Sequence, residues 1–206
     1  TGSDETGDGS FENPFATIGH AVNLMDNNDW VIVGPGNYNE NIMVSDKSGM
    51  IIGISGPDST FINGGGGQIM HSDGGFWMMD GFSFTNGNTA GTDAVDGGAI
   101  LNFNGGLMLG HSIFVGNNAE GNGGAVAAYN STVFMDSVMF AGNNTENYGG
   151  ALFVNNDNES MNKNNTYGSK VNNDPGFDKS KIRQFREYTG ATEEKAIEFL
   201  KSFDFF

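Results

Sequence analysis

Gly97-Gly98-Ala99-Ile100, Gly123-Gly124-Ala125-Val126 and Gly149-Gly150-Ala151-Leu152 are three copies of one motif, each 26 residues after the last. Phe114-Val115-Gly116-Asn117 and Phe140-Ala141-Gly142-Asn143 keep the same step, and so do Asn118 and Asn144. A fixed period of roughly 20–50 residues marks a stack of coils in which no single repeat can bury its apolar face alone. Between the motifs the chain runs in short apolar pieces punctuated by Gly and Asn. These are Ala99 to Phe103, Gly106 to Leu109 and His111 to Phe114, then Ala125 to Tyr129, Thr132 to Met135 and Val138 to Phe140, then Ala151 to Val154. Pieces of this length and composition read as strands. Two or three per period make one turn of a parallel β-solenoid, with like strands of successive coils paired at about 4.8 Å.

The punctuation fits that geometry. Sharp corners between strands need positive φ, which Gly adopts freely and Asn tolerates. Asn117 over Asn143, and Asn118 over Asn144, can hydrogen-bond along the stack as amide ladders. Phe84, Phe114 and Phe140 are expected inside, ring on ring. Phe84 precedes Phe114 by 30 residues, and the surplus of 4 fits a bulged turn around 90–95 that leaves the register intact. Further strands are expected at Trp30 to Val33, Ile42 to Val44, Met50 to Ile54, Phe61-Ile62, Gln68 to His71 and Phe76 to Phe84, giving about six coils. Asn13 is a good N-cap and Pro14 a good first helical residue, so a helix over 14–26 is expected to cover the first coil.

The GGA-[ILV] and FxxN motifs together resemble the repeats of chlamydial polymorphic outer-membrane proteins, which implies a right-handed parallel β-helix. Phe84-Thr85-Asn86 departs from FxxN by one residue. Asp8-Gly9-Ser10, Asn13-Pro14-Phe15-Ala16-Thr17-Ile18 and Gly34-Pro35-Gly36-Asn37-Tyr38-Asn39-Glu40-Asn41-Ile42 resemble the opening of pectin-lyase-like β-helices. That superfamily includes lyases, hydrolases, epimerases, adhesins and inert spikes, so the resemblance implies a fold and leaves the activity open.

Charge divides the chain. Residues 1–177 carry 19 acidic side chains against Lys47, Lys163 and Lys170, with no Arg, whereas residues 178–206 balance six acids with four Lys and two Arg. An acidic surface excludes nucleic acid and anionic membranes as partners of the solenoid. No apolar run is long enough to span a membrane. There is no Cys, hence no disulfide and no thiolate metal site. Thr1 opens no signal-like segment, which fits a mature or trimmed chain.

Chemistry is weakly signalled. Lyases of this fold are expected to use an Arg or Lys beside calcium, and the repeat region has no Arg. Glycoside hydrolysis needs two carboxylates flanking the bond, whereas Asp80 and Asp136 read as isolated positions. His20, His71 and His111 read as partly buried or surface histidines. No active site is recognisable, and no cofactor is expected. Calcium is the one metal considered, with Asp4, Asp8 and Glu12 or Asp93 and Asp96 as carboxylate sources. Asn130, Asn143, Asn158 and Asn164 stand in glycosylation sequons, although a laddered Asn143 would have no free amide. Tyr38, Trp77 and Tyr129 are the candidate platforms for a glycan, with core packing the competing role for Trp77.

Composition shifts at Asn155. After a polar stretch, a weak last strand is expected over Thr166 to Val171, then helices over Lys179–Tyr188 and Thr192–Phe203. Ile182-Arg183-Gln184-Phe185, Thr189-Gly190-Ala191 and Glu194-Lys195-Ala196-Ile197-Glu198-Phe199-Leu200 resemble the first two helices of a ubiquitin-associated-like domain. No third helix follows before Phe206, so the pair is expected to be a cap or a truncated domain.

The reading is therefore an all-β, right-handed parallel β-helix over 1–177 with an N-terminal capping helix, followed by a two-helix tail over 178–206. The function expected is a non-enzymatic structural or adhesive β-helix, secreted or displayed at a cell surface. It would bind a glycan or protein partner, or itself, through a solenoid face. Two alternatives stand beside it: a diverged carbohydrate-active enzyme, and an intracellular ubiquitin-linked adaptor acting through the tail.

Overall fold

The structure is a computed structural model that describes residues 2–156. The chain divides into two compact units, Thr1–Asn155 and Asn156–Phe206. The expected strand at 166–171, the two tail helices, Asn158 and Asn164 lie outside the described residues.

The first unit is an all-parallel β-solenoid of five coils, one fewer than the repeat count suggested. Each coil contributes one strand to each of three sheets. The first sheet stacks β1 (Asp29–Val33), β4 (Gly49–Gly53), β7 (Phe76–Asp80), β10 (Gly106–Gly110) and β14 (Thr132–Asp136). The second stacks β2 (Gly36–Asn39), β5 (Thr60–Asn63), β8 (Ser83–Thr85), β11 (Ile113–Val115) and β15 (Met139–Ala141). The third stacks β3 (Ile42–Ser45), β6 (Met70–Asp73), β9 (Ile100–Phe103), β13 (Val126–Tyr129) and β17 (Leu152–Asn155). A two-stranded ladder, β12 (Asn118–Ala119) with β16 (Asn144–Thr145), adds a fourth edge to the last coils.

The motifs do what their chemistry requires. Phe114 pairs in register with Phe84 on one side and Phe140 on the other, with ring centroids 4.4 and 5.1 Å apart. Asn117 stands in for a strand rung: its Nδ2 donates to the Phe84 carbonyl and its Oδ1 accepts from Gly87 N. Asn143 repeats this one coil later, donating to the Phe114 carbonyl and accepting from Asn117 N and Nδ2. In the Gly-Gly-Ala motif the two glycines have separate duties. Gly97, Gly123 and Gly149 turn the chain at φ 65, 66 and 70°. At Gly98 and Gly124 a Cβ would lie 2.3 and 2.2 Å from the carbonyl oxygen of the glycine in the next coil, so the coils close only without one. The surplus residues after Thr89 form a pinned loop, with Thr89 Oγ1 donating to Val95 O and Thr92 Oγ1 to Thr89 O, and the Phe84–Phe114 register survives it.

Three expectations need correction. The helix spans Ile18–Leu24, not 14–26, and Thr17 is its N-cap. Asn13 is occupied elsewhere, its N–H donating to Ser10 Oγ and its Nδ2 to Thr6 O. Phe76 to Phe84 is two strands, because Gly81 (φ 79°) turns the chain between sheets. Gly36–Asn39, read only as part of a motif, is a strand.

The helix, α1, caps the first coil and is clamped at both ends by residues flanking β3. Glu40, buried, accepts from Ile18 N at 2.8 Å and Gly19 N at 3.3 Å. Asp4 accepts from Ala16 N, Thr17 N and Thr17 Oγ1. Lys47 Nζ donates to the carbonyls of Val22, Asn23 and Met25. A helix end leaves backbone groups unpaired, and charge of the opposite sign satisfies them best.

Candidate functional site

Strand alternation in the first sheet sends Val31, Ile51, Met79 and Leu109 into the core cluster. Their neighbours Trp30, Met50, Met78, Met108 and Phe134 point the other way. These five stand in register, each beside the next, as one row along the outer side of the sheet. Trp30 is 52% exposed, yet Met78 and Met108 are 0% and 5% exposed, values typical of a core. Beside this row runs a second, Ile32, Ile52, Asp80, Gly110 and Asp136, apolar in the first two coils and acidic in the third and fifth.

The two glycines of β10 let neighbouring side chains lie flat on this face. A Cβ on Gly110 would sit 2.1 Å from Asp80 Oδ1, and one on Gly106 would sit 2.4 Å from Phe76 Cδ2. Asp80 therefore leans over Gly110 toward the next coil. Its Oδ1 lies 2.9 Å from His111 Nδ1, and its side chain is only 11% exposed. His111 has φ 39°, but Gly81 and Ser137 occupy the same corner in the adjacent coils at 79 and 53°, so the backbone there is ordinary for this solenoid. Asp80 and Asp136, expected as isolated positions, thus share one end of one face with His111.

The aromatic candidates do not converge. Tyr38 lies on the second sheet and donates its hydroxyl to Gly34 O; burial, then the Glu40 charge, raise its pKa. Trp77 is fully buried and belongs to the core, which removes it as a surface platform. Tyr129 lies on the third sheet, stacked on Phe103 at 5.2 Å and tilted against Phe153 at 5.5 Å. Its hydroxyl donates to Asp96 Oδ2 at 2.6 Å, and burial, reinforced by that carboxylate, pushes its pKa to about 12.

Of the calcium candidates, Glu12 and Asp93 are exposed and the other three are engaged within the fold. Asp4 and Asp8 are both held below the usual carboxylate range, chiefly by the hydroxyls of Thr17 and Ser10 respectively. Asp96 accepts from Asn122 N and from Tyr129. Among the described residues no three His, Cys, Asp or Glu side chains are grouped to hold a metal ion. Asn130 is exposed at a corner, whereas Asn143 has both side-chain atoms in the ladder. Lys47 is the one Lys or Arg among the described residues, and its ammonium caps α1, leaving 16 acidic side chains to set the field of residues 2–156. No helix among them is long and apolar enough to cross a membrane.

Residues 179–205 match the family model described as a UBA-like domain. No curated protein and no solved structure matches the chain.

Proposed function

We propose that the solenoid is a non-enzymatic scaffold that seats a polypeptide along the outer side of its first sheet. The observation that carries this is the row Trp30, Met50, Met78, Met108 and Phe134, five apolar side chains in register on the outer side of one sheet, with Trp30 and the neighbouring Ile32 more than half exposed. The outside of a solenoid is ordinarily wetted and polar, and methionine-rich surfaces adapt well to a protein partner. The three aromatic residues a glycan would stack on lie on three different sheets, which favours protein over sugar.

Replacing Phe134→p-benzoylphenylalanine and irradiating the full chain tests it. The expected product is one high-yield adduct mapping to one peptide sequence, lost when Met108→Glu is added. Failure to label any polypeptide, or labelling of an added polysaccharide instead, overturns the reading.

A second reading follows from the match at 179–205: the tail serves a ubiquitin-linked adaptor. Titrating ubiquitin into the labelled full chain tests it, and NMR spectra unchanged at millimolar ligand remove it.

A further inference from the structure

We infer that Asn86-Gly87 is a guarded site of self-modification, at which Asn86 loses its side-chain amide to attack by the Gly87 backbone nitrogen once Asn117 releases that nitrogen. The inference is independent of what the first sheet seats.

Asparagine is among the thermolabile side chains, above all before glycine, whose missing Cβ leaves the approach open. The backbone nitrogen of the glycine bonds to the asparagine Cγ, and the Cγ–Nδ2 bond breaks. Ammonia leaves, carrying the proton that the glycine nitrogen gives up. The five-membered succinimide so formed takes up one water at either carbonyl and opens to aspartate or to isoaspartate. Water is the sole co-reactant.

The chain has four such dipeptides: Asn63-Gly64, Asn86-Gly87, Asn104-Gly105 and Asn122-Gly123. In each, the following coil holds the glycine N–H. Gly64 N donates to Thr85 O at 3.0 Å and Gly123 N to Tyr148 O at 2.8 Å. Gly105 N donates to Ser131 Oγ at 3.3 Å, and Gly87 N to Asn117 Oδ1 at 2.9 Å. A nitrogen engaged in this way reaches Cγ only when the bond opens, so conversion is gated by local opening of the stack.

Asn86 differs from the other three at the group attacked. Asn63 Oδ1 accepts from Gly65 N, Asn104 Nδ2 donates to Asp73 Oδ1, and Asn122 Nδ2 donates to the Tyr129 hydroxyl. Asn86 is exposed at φ 54°, and its side-chain amide has no hydrogen-bond partner among the described residues. Its protection therefore rests on the nitrogen alone. Gly87 is buried, and a Cβ there would lie 2.3 Å from Gly98 O, so the coil keeps that nitrogen in place while the Asn117 amide holds it. Isoaspartate at position 86 adds a methylene to the main chain and a carboxylate beside the amide ladder, two residues after Phe84. The product loosens the stack where the phenylalanine column begins.

Peptide mapping of the full chain after incubation at mildly alkaline pH tests this, with asparagine, aspartate and isoaspartate resolved at all four dipeptides. Asn117→Ala is expected to raise conversion at Asn86 about tenfold, as loss of one hydrogen bond allows, and to leave Asn63, Asn104 and Asn122 at their wild-type rates. Asn144→Ala, in the ladder but remote from Gly87 N, should leave Asn86 unchanged. No rise at Asn86 in the Asn117→Ala chain, or an equal rise with Asn144→Ala, overturns the inference. If all four dipeptides accelerate together in Asn117→Ala, the variant has unfolded and the wild type decides. Its conversion at Asn86 should then follow hydrogen exchange of the Gly87 amide as low denaturant is added, and a rate indifferent to that exchange overturns the inference.

Discussion

Coils late in the solenoid repeat every 26 residues, with Val126 beside Ile100 and Leu152 beside Val126. In the early coils Asp29 lies beside Gly49, Gly36 beside Thr60 and Ile42 beside Met70, steps of 20, 24 and 28. The two regions are held by different chemistry. In the late coils a residue is stabilised by its own copies: phenylalanine on phenylalanine, asparagine amide on asparagine amide, glycine against glycine. The early coils have no copies to stack, and the first is covered by α1 in place of another coil. They rely on contacts made once, such as Glu40 and Lys47 on α1. The inward column of the second sheet crosses the boundary, running Tyr38, Ile62, Phe84, Phe114, Phe140. The aromatic stack is interrupted where the period fails.

Phe114→Ala should break this contrast most severely. The side chain is fully buried between two rings, so a loss of about 3–5 kcal/mol is expected in denaturant unfolding. Ile62→Val, one column position into the irregular region, should lose only about 1 kcal/mol. Phe114→Leu keeps most of the buried apolar volume and removes the ring, so it should still lose about 1 kcal/mol, and no loss there would mean that ring stacking adds nothing to burial.

Next comes the ladder. Asn117→Ala removes the side-chain partners of Gly87 N and the Phe84 carbonyl in a buried setting and leaves Asn143 Oδ1 with one donor, the backbone N–H of residue 117, at a cost of about 2–3 kcal/mol. Asn144 makes an equivalent amide contact to Asn118 at the surface, and Asn144→Ala should cost under about 0.5 kcal/mol. Equal effects of the two would show that the ladder acts by turn geometry alone.

The late coils were legible because their function in the fold is repetition, and repetition is visible in a string of letters. Phe114 and Asn117 could be assigned roles from spacing alone, whereas spacing does not show that Gly98 serves a close approach of coils and not a positive φ. The start of α1 could not, because its anchor is tertiary: Glu40 lies 22 residues after Ile18. The segment containing Glu40 was visible as a motif, but not what its carboxylate binds. The outer row was missed for a different reason. Phe76-Trp77-Met78-Met79 and Leu107-Met108-Leu109 are unbroken apolar runs, the pattern of strands covered on both sides. That signal was present, yet residue type drew attention to Trp77, whose place in the alternation points it inward. Aromatic character cannot say which side of a strand a residue occupies; its parity relative to Met79 and Leu109 can.

Among the one-off contacts, Lys47→Met removes the donor to three carbonyls at the C-terminal end of α1. About 1–2 kcal/mol should be lost, and it should be lost locally. Amides of Ile18–Leu24 are expected to exchange faster while those of β9, β11 and β13 keep their protection, because coils contact only their neighbours. Uniform loss of protection would mean that the two regions unfold as one.

The smallest effect separates two carboxylates at the same helix end. Burial raises the Glu40 pKa more than its two N–H donors lower it, and the nearby Asp4 charge adds to the rise. A carboxyl raised on folding contributes stability that is present below the ordinary glutamate value, about 4.3, and lost as pH climbs through the raised one. Asp4, lowered chiefly by the Thr17 hydroxyl, behaves oppositely. Its contribution is present above the ordinary aspartate value, about 3.9, and is lost as pH falls through the lowered one. Glu40→Gln removes the first linkage while keeping an acceptor for Ile18 N. Thermal unfolding from pH 7 to about 4 should therefore show wild type gaining steadily on the variant as pH falls. Asp4→Asn should show wild type losing ground below about pH 4. A Glu40→Gln difference that stays flat, or turns the other way, would mean that the N–H donors outweigh burial and that Glu40 holds α1 by its charge after all.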